Sequence, residues 1–116
     1  MKNQSVWKRL GFALNGLRCV YKSENSIVMY IVGVSLATAI MGYVNPDPRS
    51  WCIFVLSAAF ILCVELINTA VEYFLDEFYP EYNETVGKVK DILSGAALVA
   101  TLAALICFFL LVYTQT

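Results

Sequence analysis

Three long apolar runs are the feature that most constrains what this chain can fold into. Residues 27–44 and 92–113 carry no charged side chain, and residues 51–70 carry only Glu65. Because a membrane-spanning helix needs about 20 mostly apolar residues, each run is about long enough to cross a bilayer. The sequence therefore predicts an all-α integral membrane protein, a single domain over residues 1–116, with transmembrane helices at 27–44, 51–77 and 91–113.

A helix of a different kind precedes the first span, at residues 5–24. Its apolar side chains recur at intervals of three and four residues, and basic side chains occupy the positions between them. This spacing gives one apolar and one basic face, which is typical of a helix that lies in the membrane interface. We therefore expect an amphipathic surface helix, whose apolar positions are Trp7, Leu10, Leu14, Leu17 and Tyr21.

The basic residues predict the orientation in the membrane. Of the eight Lys and Arg residues, only Arg49 lies outside the N-terminal segment and the segment 71–91. Because basic residues accumulate on the cytoplasmic side of a bilayer, both segments should be cytoplasmic. We expect a multi-pass protein of the cell inner (cytoplasmic) membrane. Nucleic acid is an unlikely partner by this reasoning, since most of the N-terminal basic residues belong to a membrane-facing helix.

A polar stripe runs along the second span and its continuation, at Glu65, Asn68, Glu72 and Asp76. A helix turns about 100° per residue, so these four side chains share one face. Glu65 should lie about five residues inside the span, which is roughly 7 to 8 Å at about 1.5 Å per residue. A carboxylate at such a depth is costly, and this makes the polar stripe a candidate functional site.

The residue types limit the chemistry of that site. The chain contains no histidine, and neither a GxxxxGK[ST] nor a GxGxxG motif. Any general base must therefore be a carboxylate, a lysine or a tyrosine, and any metal must bind oxygen ligands, which suits Mg²⁺. Glu65 lies where the hydroxyl of a membrane lipid would lie, with Glu72 nearer to water and Lys90 at the same interface. This order suits transfer of a phosphoryl group from ATP to a lipid alcohol.

Other interpretations of the same residues stay open. Glu65 and Asn68 could form interhelical hydrogen bonds, and Glu72 and Asp76 could belong to a solvated helix end. A small proton-coupled exporter would also use an intramembrane carboxylate such as Glu65, although it leaves the clustered charges unexplained. A non-enzymatic membrane scaffold would make no use of the polar stripe.

Two segments carry a more specific signal. ELINTAVEYFLD at residues 65–76, followed by KVKDILSGAAL at residues 88–98, resembles the signature of the prokaryotic diacylglycerol kinase family. GLR at residues 16–18 and the acid at Glu24 resemble the N-terminal helix of that family. The resemblance implies an integral-membrane lipid kinase that works with Mg²⁺ and ATP as a homotrimer, with sites shared between neighbouring subunits.

The resemblance also implies a role for individual residues. Glu65 takes the place of the catalytic base and contacts the lipid, and Glu24 and Glu72 match the carboxylates that bind the metal on ATP. The remaining matches surround the substrates: Asn68, Asp76, Lys90 and Asp91 near the phosphates of ATP, Glu81 and Asn83 near the rest of the nucleotide, and Ser94 near the lipid.

The chain departs from the family pattern at a few positions. Asn83 stands where many members have histidine, Ser5 where some have arginine, and Phe12 where some have tyrosine. Members of the family phosphorylate either diacylglycerol or undecaprenol. The segment EYNETVGKVKD is closer to the first group and NTAVE is common in the second. We expect diacylglycerol, converted to phosphatidic acid, with undecaprenol as the alternative substrate.

Overall fold

Four helices make up the fold, in a computed structural model that describes residues 5–23 and 25–115. In chain order they are α1 (Val6–Ser23), α2 (Asn25–Val44), α3 (Pro48–Phe78) and α4 (Glu84–Gln115). By length and composition, α2, α3 and α4 can each cross a membrane, and α1 is shorter than all three. No strand occurs among the described residues. The predicted fold class, a short N-terminal helix followed by three transmembrane helices, is confirmed.

α3 and α4 begin before the transmembrane segments predicted at 51–77 and 91–113. They start at Pro48 and Glu84. Asp47 caps α3, because its carboxylate accepts a hydrogen bond from the Ser50 N–H at 3.0 Å, and Pro48 at the first helical position needs no hydrogen-bond acceptor. Asn83 caps α4 in the same way, since its Oδ1 accepts from the backbone N–H of Thr85 at 2.8 Å.

A tight connection of three residues joins α2 to α3. Asn45 has a φ of 51°, in the left-handed region, and its N–H donates to the carbonyl of Met41 at 3.0 Å. Asparagine tolerates this conformation better than most residues, so it ends α2 much as glycine commonly does. The chain therefore reverses direction over residues 45–47 and enters α3 at once.

An antiparallel hairpin of α3 and α4 is the main packing unit of the chain. The Phe54 and Phe108 rings lie 6.1 Å apart at one end, and Lys90 Nζ lies 2.9 Å from Asp76 Oδ1 at the other. The two helices have 31 and 32 residues. At about 1.5 Å per residue each is roughly 46 to 48 Å long, whereas a bilayer core is about 30 Å thick. Both helices must therefore extend beyond the hydrocarbon region.

The interior of a single chain is small. Among the described residues, the buried apolar side chains are Ile27, Met41, Phe54, Leu75 and Ala100. α1 contacts α2 and α3, and α2 contacts α3 and α4, but each of these contacts is slighter than that between α3 and α4. Most large apolar side chains on the helices stay exposed, which leaves broad apolar surfaces for lipid or for other subunits.

Candidate functional site

The polar stripe lies on one uninterrupted helix. α3 runs from Pro48 to Phe78, so Glu65, Asn68, Glu72 and Asp76 are all helical residues. At about 100° per residue, they lie within roughly 80° of one another around the helix axis. Glu65, Asn68 and Glu72 are half-buried, and Asp76 is exposed. Within the polar stripe, burial thus falls off toward the C-terminal end of α3.

A cavity of about 430 Å³ reaches Glu65 from within the membrane region. It lies between α2, α3 and α4, and apart from Glu65 its walls are almost entirely apolar, with side chains such as Val34, Ile61 and Leu105. Such a cavity can hold a hydrocarbon chain and present one polar group at a chosen point. Glu65 is the carboxylate in its lining.

Asn68 carries an unusual feature of the polar stripe. Its Oδ1 atom is shielded from solvent and has no hydrogen-bond partner among the described residues. A buried carbonyl oxygen without a donor costs about 1–3 kcal/mol, so a group of this kind needs an explanation. A donor from a substrate or from another subunit would satisfy it, and either source is consistent with a site at this point of α3.

The ion pair of Asp76 and Lys90 joins the polar stripe to α4. The two side chains meet at 2.9 Å across the helices and are 68% and 42% exposed. Because α4 starts at Glu84, Lys90 lies in the second turn of this helix, and its position relative to α3 is fixed by the hairpin. A fixed cation beside carboxylates, open to water, is suited to bind the phosphates of a nucleotide.

The other residues expected at the site are distributed around this pair. Asp91 and Ser94 lie on α4 and are exposed, and Glu81 is exposed in the connection of residues 79–83. Asn83 uses its Oδ1 to cap α4, so only its amide nitrogen stays available for a ligand. Glu24 lies outside the described residues. The structure therefore brings Asp76 and Lys90 into direct contact. Among the described residues, Glu81, Asp91 and Ser94 form no hydrogen bond or ion pair with either of them.

One polar contact near the cavity was not predicted from the sequence. The hydroxyl of Tyr30 on α2 donates a hydrogen bond to the backbone carbonyl of Ala58 on α3. The signal that could have indicated it is the phenol itself, since a hydroxyl within an apolar span must find an acceptor in the protein.

Comparisons with known proteins show which proteins the whole chain is similar to. The family model described as "Prokaryotic diacylglycerol kinase" matches residues 11–112. The protein is 30% identical over 110 residues to the diacylglycerol kinase of Escherichia coli strain K12, covering 95% of this chain and 90% of the relative. The identity and both coverages are the same in the comparison with the diacylglycerol kinase of Shigella flexneri. Against that of Helicobacter pylori strain J99 it is 24% identical over 94 residues, covering 81% and 73% of the two chains.

Proposed function

This chain belongs to the prokaryotic diacylglycerol kinase family, and from that premise we propose that it transfers the γ-phosphoryl group of ATP to the hydroxyl of diacylglycerol. The single observation that best supports this reaction is the course of the polar stripe. It runs along one face of α3 from Glu65, in an apolar cavity, to Asp76, which pairs with Lys90 in water. A lipid alcohol and a nucleotide can therefore approach the same helix face from opposite ends.

Glu65 is suited to act as the general base in this reaction. The lipid hydroxyl enters through the apolar cavity and donates its proton to the Glu65 carboxylate. Its oxygen then forms a bond to the γ-phosphorus of ATP, while the bond between that phosphorus and the bridging β–γ oxygen breaks and ADP leaves. Phosphoryl transfer depends mostly on positioning and on neutralisation of charge, both of which the polar stripe can provide.

The nucleotide end of the site combines cationic and carboxylate groups. Lys90 can hold the phosphates, with Asp76, Asp91 and Asn68 around them. Seven residues separate Glu65 from Glu72, which is about 10 Å along the helix, so Glu72 can reach the phosphate side without contacting the lipid hydroxyl. We assign Glu81 and the amide nitrogen of Asn83 to contacts farther along the nucleotide, and Ser94 to a contact with the lipid, on the basis of the family resemblance.

The carboxylates fit Mg²⁺ bound to ATP. Mg²⁺ commonly takes one or two protein carboxylates, with phosphate oxygens and water completing its coordination. Glu72 supplies one such carboxylate at a half-buried position, and Glu24 is the proposed second. No group of three acidic, His or Cys side chains that could hold a metal occurs among the described residues. When bound, Mg²⁺ neutralises charge on the phosphates.

We also propose the location and the assembly. The protein lies in the cell inner (cytoplasmic) membrane, with its N-terminus and the segment 71–91 on the cytoplasmic side, where ATP is found. It forms a homotrimer whose sites are shared between neighbours. The small interior supports an oligomer, and so does the buried Asn68 Oδ1, which has no hydrogen-bond partner among the described residues. The exporter and the scaffold considered above are set aside, since the family consists of lipid kinases.

A side-by-side kinase assay tests the proposed reaction. Purified protein in detergent micelles would receive γ-labelled ATP with either diacylglycerol or undecaprenol. We expect label in phosphatidic acid, a requirement for Mg²⁺, and a lower rate with undecaprenol. Preferential labelling of undecaprenol would show that the substrate assignment is wrong, and no labelled lipid with either alcohol would contradict the reaction itself.

A further inference from the structure

We infer that Tyr30 is a positioning residue for the lipid substrate, because its hydroxyl fixes α2 against α3 beside the cavity that reaches Glu65. This inference rests on the proposed function, since it assumes that the cavity receives the lipid. It concerns binding of the lipid and not transfer of the proton or the phosphoryl group.

The evidence begins with the hydrogen bond itself. The Tyr30 hydroxyl donates to the Ala58 carbonyl, which joins two helices whose other contacts are few. Tyr30 lies within the apolar stretch of α2, Ile27–Val44, where a phenol hydroxyl without an acceptor is costly. Breaking this bond would leave the hydroxyl unpaired in an apolar medium, so the bond should persist and hold the two helices in register.

The bond lies on the helix face that carries the polar stripe. Ala58 and Glu65 are seven residues apart, which is close to two full turns, so both face the same side of α3. Both residues line the 430 Å³ cavity together with Tyr30. Gly33 and Ala37 of α2 line it too, one and two turns beyond Tyr30. The position of α2 therefore decides the width of the cavity that leads to Glu65.

Tyr30 also borders a second cavity. This cavity has a volume of about 350 Å³ and lies between α1, α2 and α3, where Leu17 and Leu62 are among its walls. Because Tyr30 contributes to both linings, it lies between the space beside α1 and the cavity that reaches Glu65. A Tyr30 side chain anchored by its hydroxyl should therefore fix the shape of the cavity wall that faces the lipid.

The distance between Ala58 and Glu72 should confine the effect of losing the Tyr30 hydroxyl to lipid binding. Ala58 is fourteen residues from Glu72, which is about 21 Å along the helix axis. A shift of α2 at Ala58 alters the cavity walls directly, whereas the carboxylate proposed to hold Mg-ATP lies far from the contact. Loss of the hydroxyl should therefore weaken lipid binding and leave nucleotide binding unchanged.

The test compares Tyr30→Phe with Tyr43→Phe. The first variant removes the anchoring hydroxyl and keeps the ring, and the second makes the same change on the same helix at a residue that is 91% exposed. A lost hydrogen bond of ordinary strength corresponds to about a five-fold change. We expect the KM for diacylglycerol to rise about five-fold in Tyr30→Phe, with the KM for ATP and kcat unchanged, and no change in Tyr43→Phe.

An unchanged KM for the lipid would overturn the inference, and so would an equal rise in both KM values, which indicates general loosening. Binding of diacylglycerol without ATP, followed as a rise in unfolding temperature, gives a readout independent of catalysis. Tyr30→Phe should need about five-fold more diacylglycerol than wild type for the same rise in unfolding temperature. If both proteins needed the same lipid concentration, the inference would be contradicted. A wild-type protein that binds the lipid but transfers no phosphate would instead disprove the proposed function alone.

Discussion

Replacement of Lys90 by methionine separates a structural role of the Asp76–Lys90 ion pair from a role in catalysis. The two groups meet at 2.9 Å but are 68% and 42% exposed. Ion pairs this exposed contribute about 0.2–1 kcal/mol to the free energy of unfolding, because water and salt screen them. Lys90→Met should therefore lower stability by less than about 1 kcal/mol, which corresponds to a factor of about five in the unfolding equilibrium.

The expected effect on catalysis is much larger. If Lys90 binds a phosphate whose charge increases in the transition state, loss of Lys90 should reduce kcat/KM at least about 100-fold. Loss of one preorganised hydrogen-bond donor has an effect of this size in other enzymes. The assay measures label transfer to diacylglycerol and denaturant unfolding on the same preparations. Lys88→Met is the matched control, since Lys88 pairs with Glu84 at 3.8 Å within α4 and both are highly exposed. A loss of activity no greater than five-fold would refute the assignment of Lys90 to the phosphates.

Three further substitutions test individual features. Glu72→Gln should raise the Mg²⁺ concentration for half-maximal activity by at least about 10-fold, since one carboxylate ligand is lost. The control Glu77→Gln should leave this concentration unchanged. If Glu72→Gln and wild type needed the same Mg²⁺ concentration, the assignment of Glu72 as a metal ligand would be wrong. Gly87→Ala should raise the free energy of unfolding by about 0.4–1 kcal/mol, because alanine restricts the unfolded chain more than glycine does. The added Cβ would lie 3.6 Å from the Tyr82 ring, which is an ordinary van der Waals contact. A destabilised variant would disprove this. Hydrogen bonds from the side chain and the N–H of Ser50 hold the pKa of Asp47 below its usual 3.8. The ionised Asp47 cap therefore stabilises α3 at neutral pH, and this stabilisation is lost as the pH falls through the lowered pKa. Asp47→Ala should therefore be less stable than wild type at pH 7, in thermal unfolding, and the gap should narrow at strongly acidic pH; a constant gap would contradict this.

The fold was largely predictable because the apolar runs allow few alternatives. Segments with almost no charge over about 18 to 22 residues are suited to little except membrane helices. The shared face of Glu65, Asn68, Glu72 and Asp76 was predictable for a similar reason, since the period of a helix is fixed. Neither inference needed any knowledge of how the helices pack.

The start of α4 was less predictable. The sequence predicted a transmembrane helix only from residue 91, whereas α4 begins at Glu84. The relevant signals were local: Asn83 caps the helix, and the pair of Glu84 and Lys88 stabilises its first turns. A helix outside the membrane does not need an apolar run, so hydropathy could not indicate its start.

Contacts between helices could not be predicted from spacing along the chain. The bond between Asp76 and Lys90 depends on the register of the α3–α4 hairpin, and that between Tyr30 and Ala58 depends on how α2 lies across α3. The roles of Asn68, Asp91 and Ser94 came from the resemblance to a family and stay predictions. Glu24, which spacing alone would not have selected, lies outside the described residues.

The central claim is that Glu65, in its apolar cavity, is the base that activates a lipid alcohol. The most direct test is transfer of label from γ-labelled ATP to diacylglycerol by Glu65→Gln, which keeps the size of the side chain and removes its basicity. We predict a loss of at least about 100-fold in kcat, with unfolding and ATP binding close to wild type, since general-base catalysis contributes about 10²–10⁴-fold. Full activity in a folded Glu65→Gln protein would contradict the account.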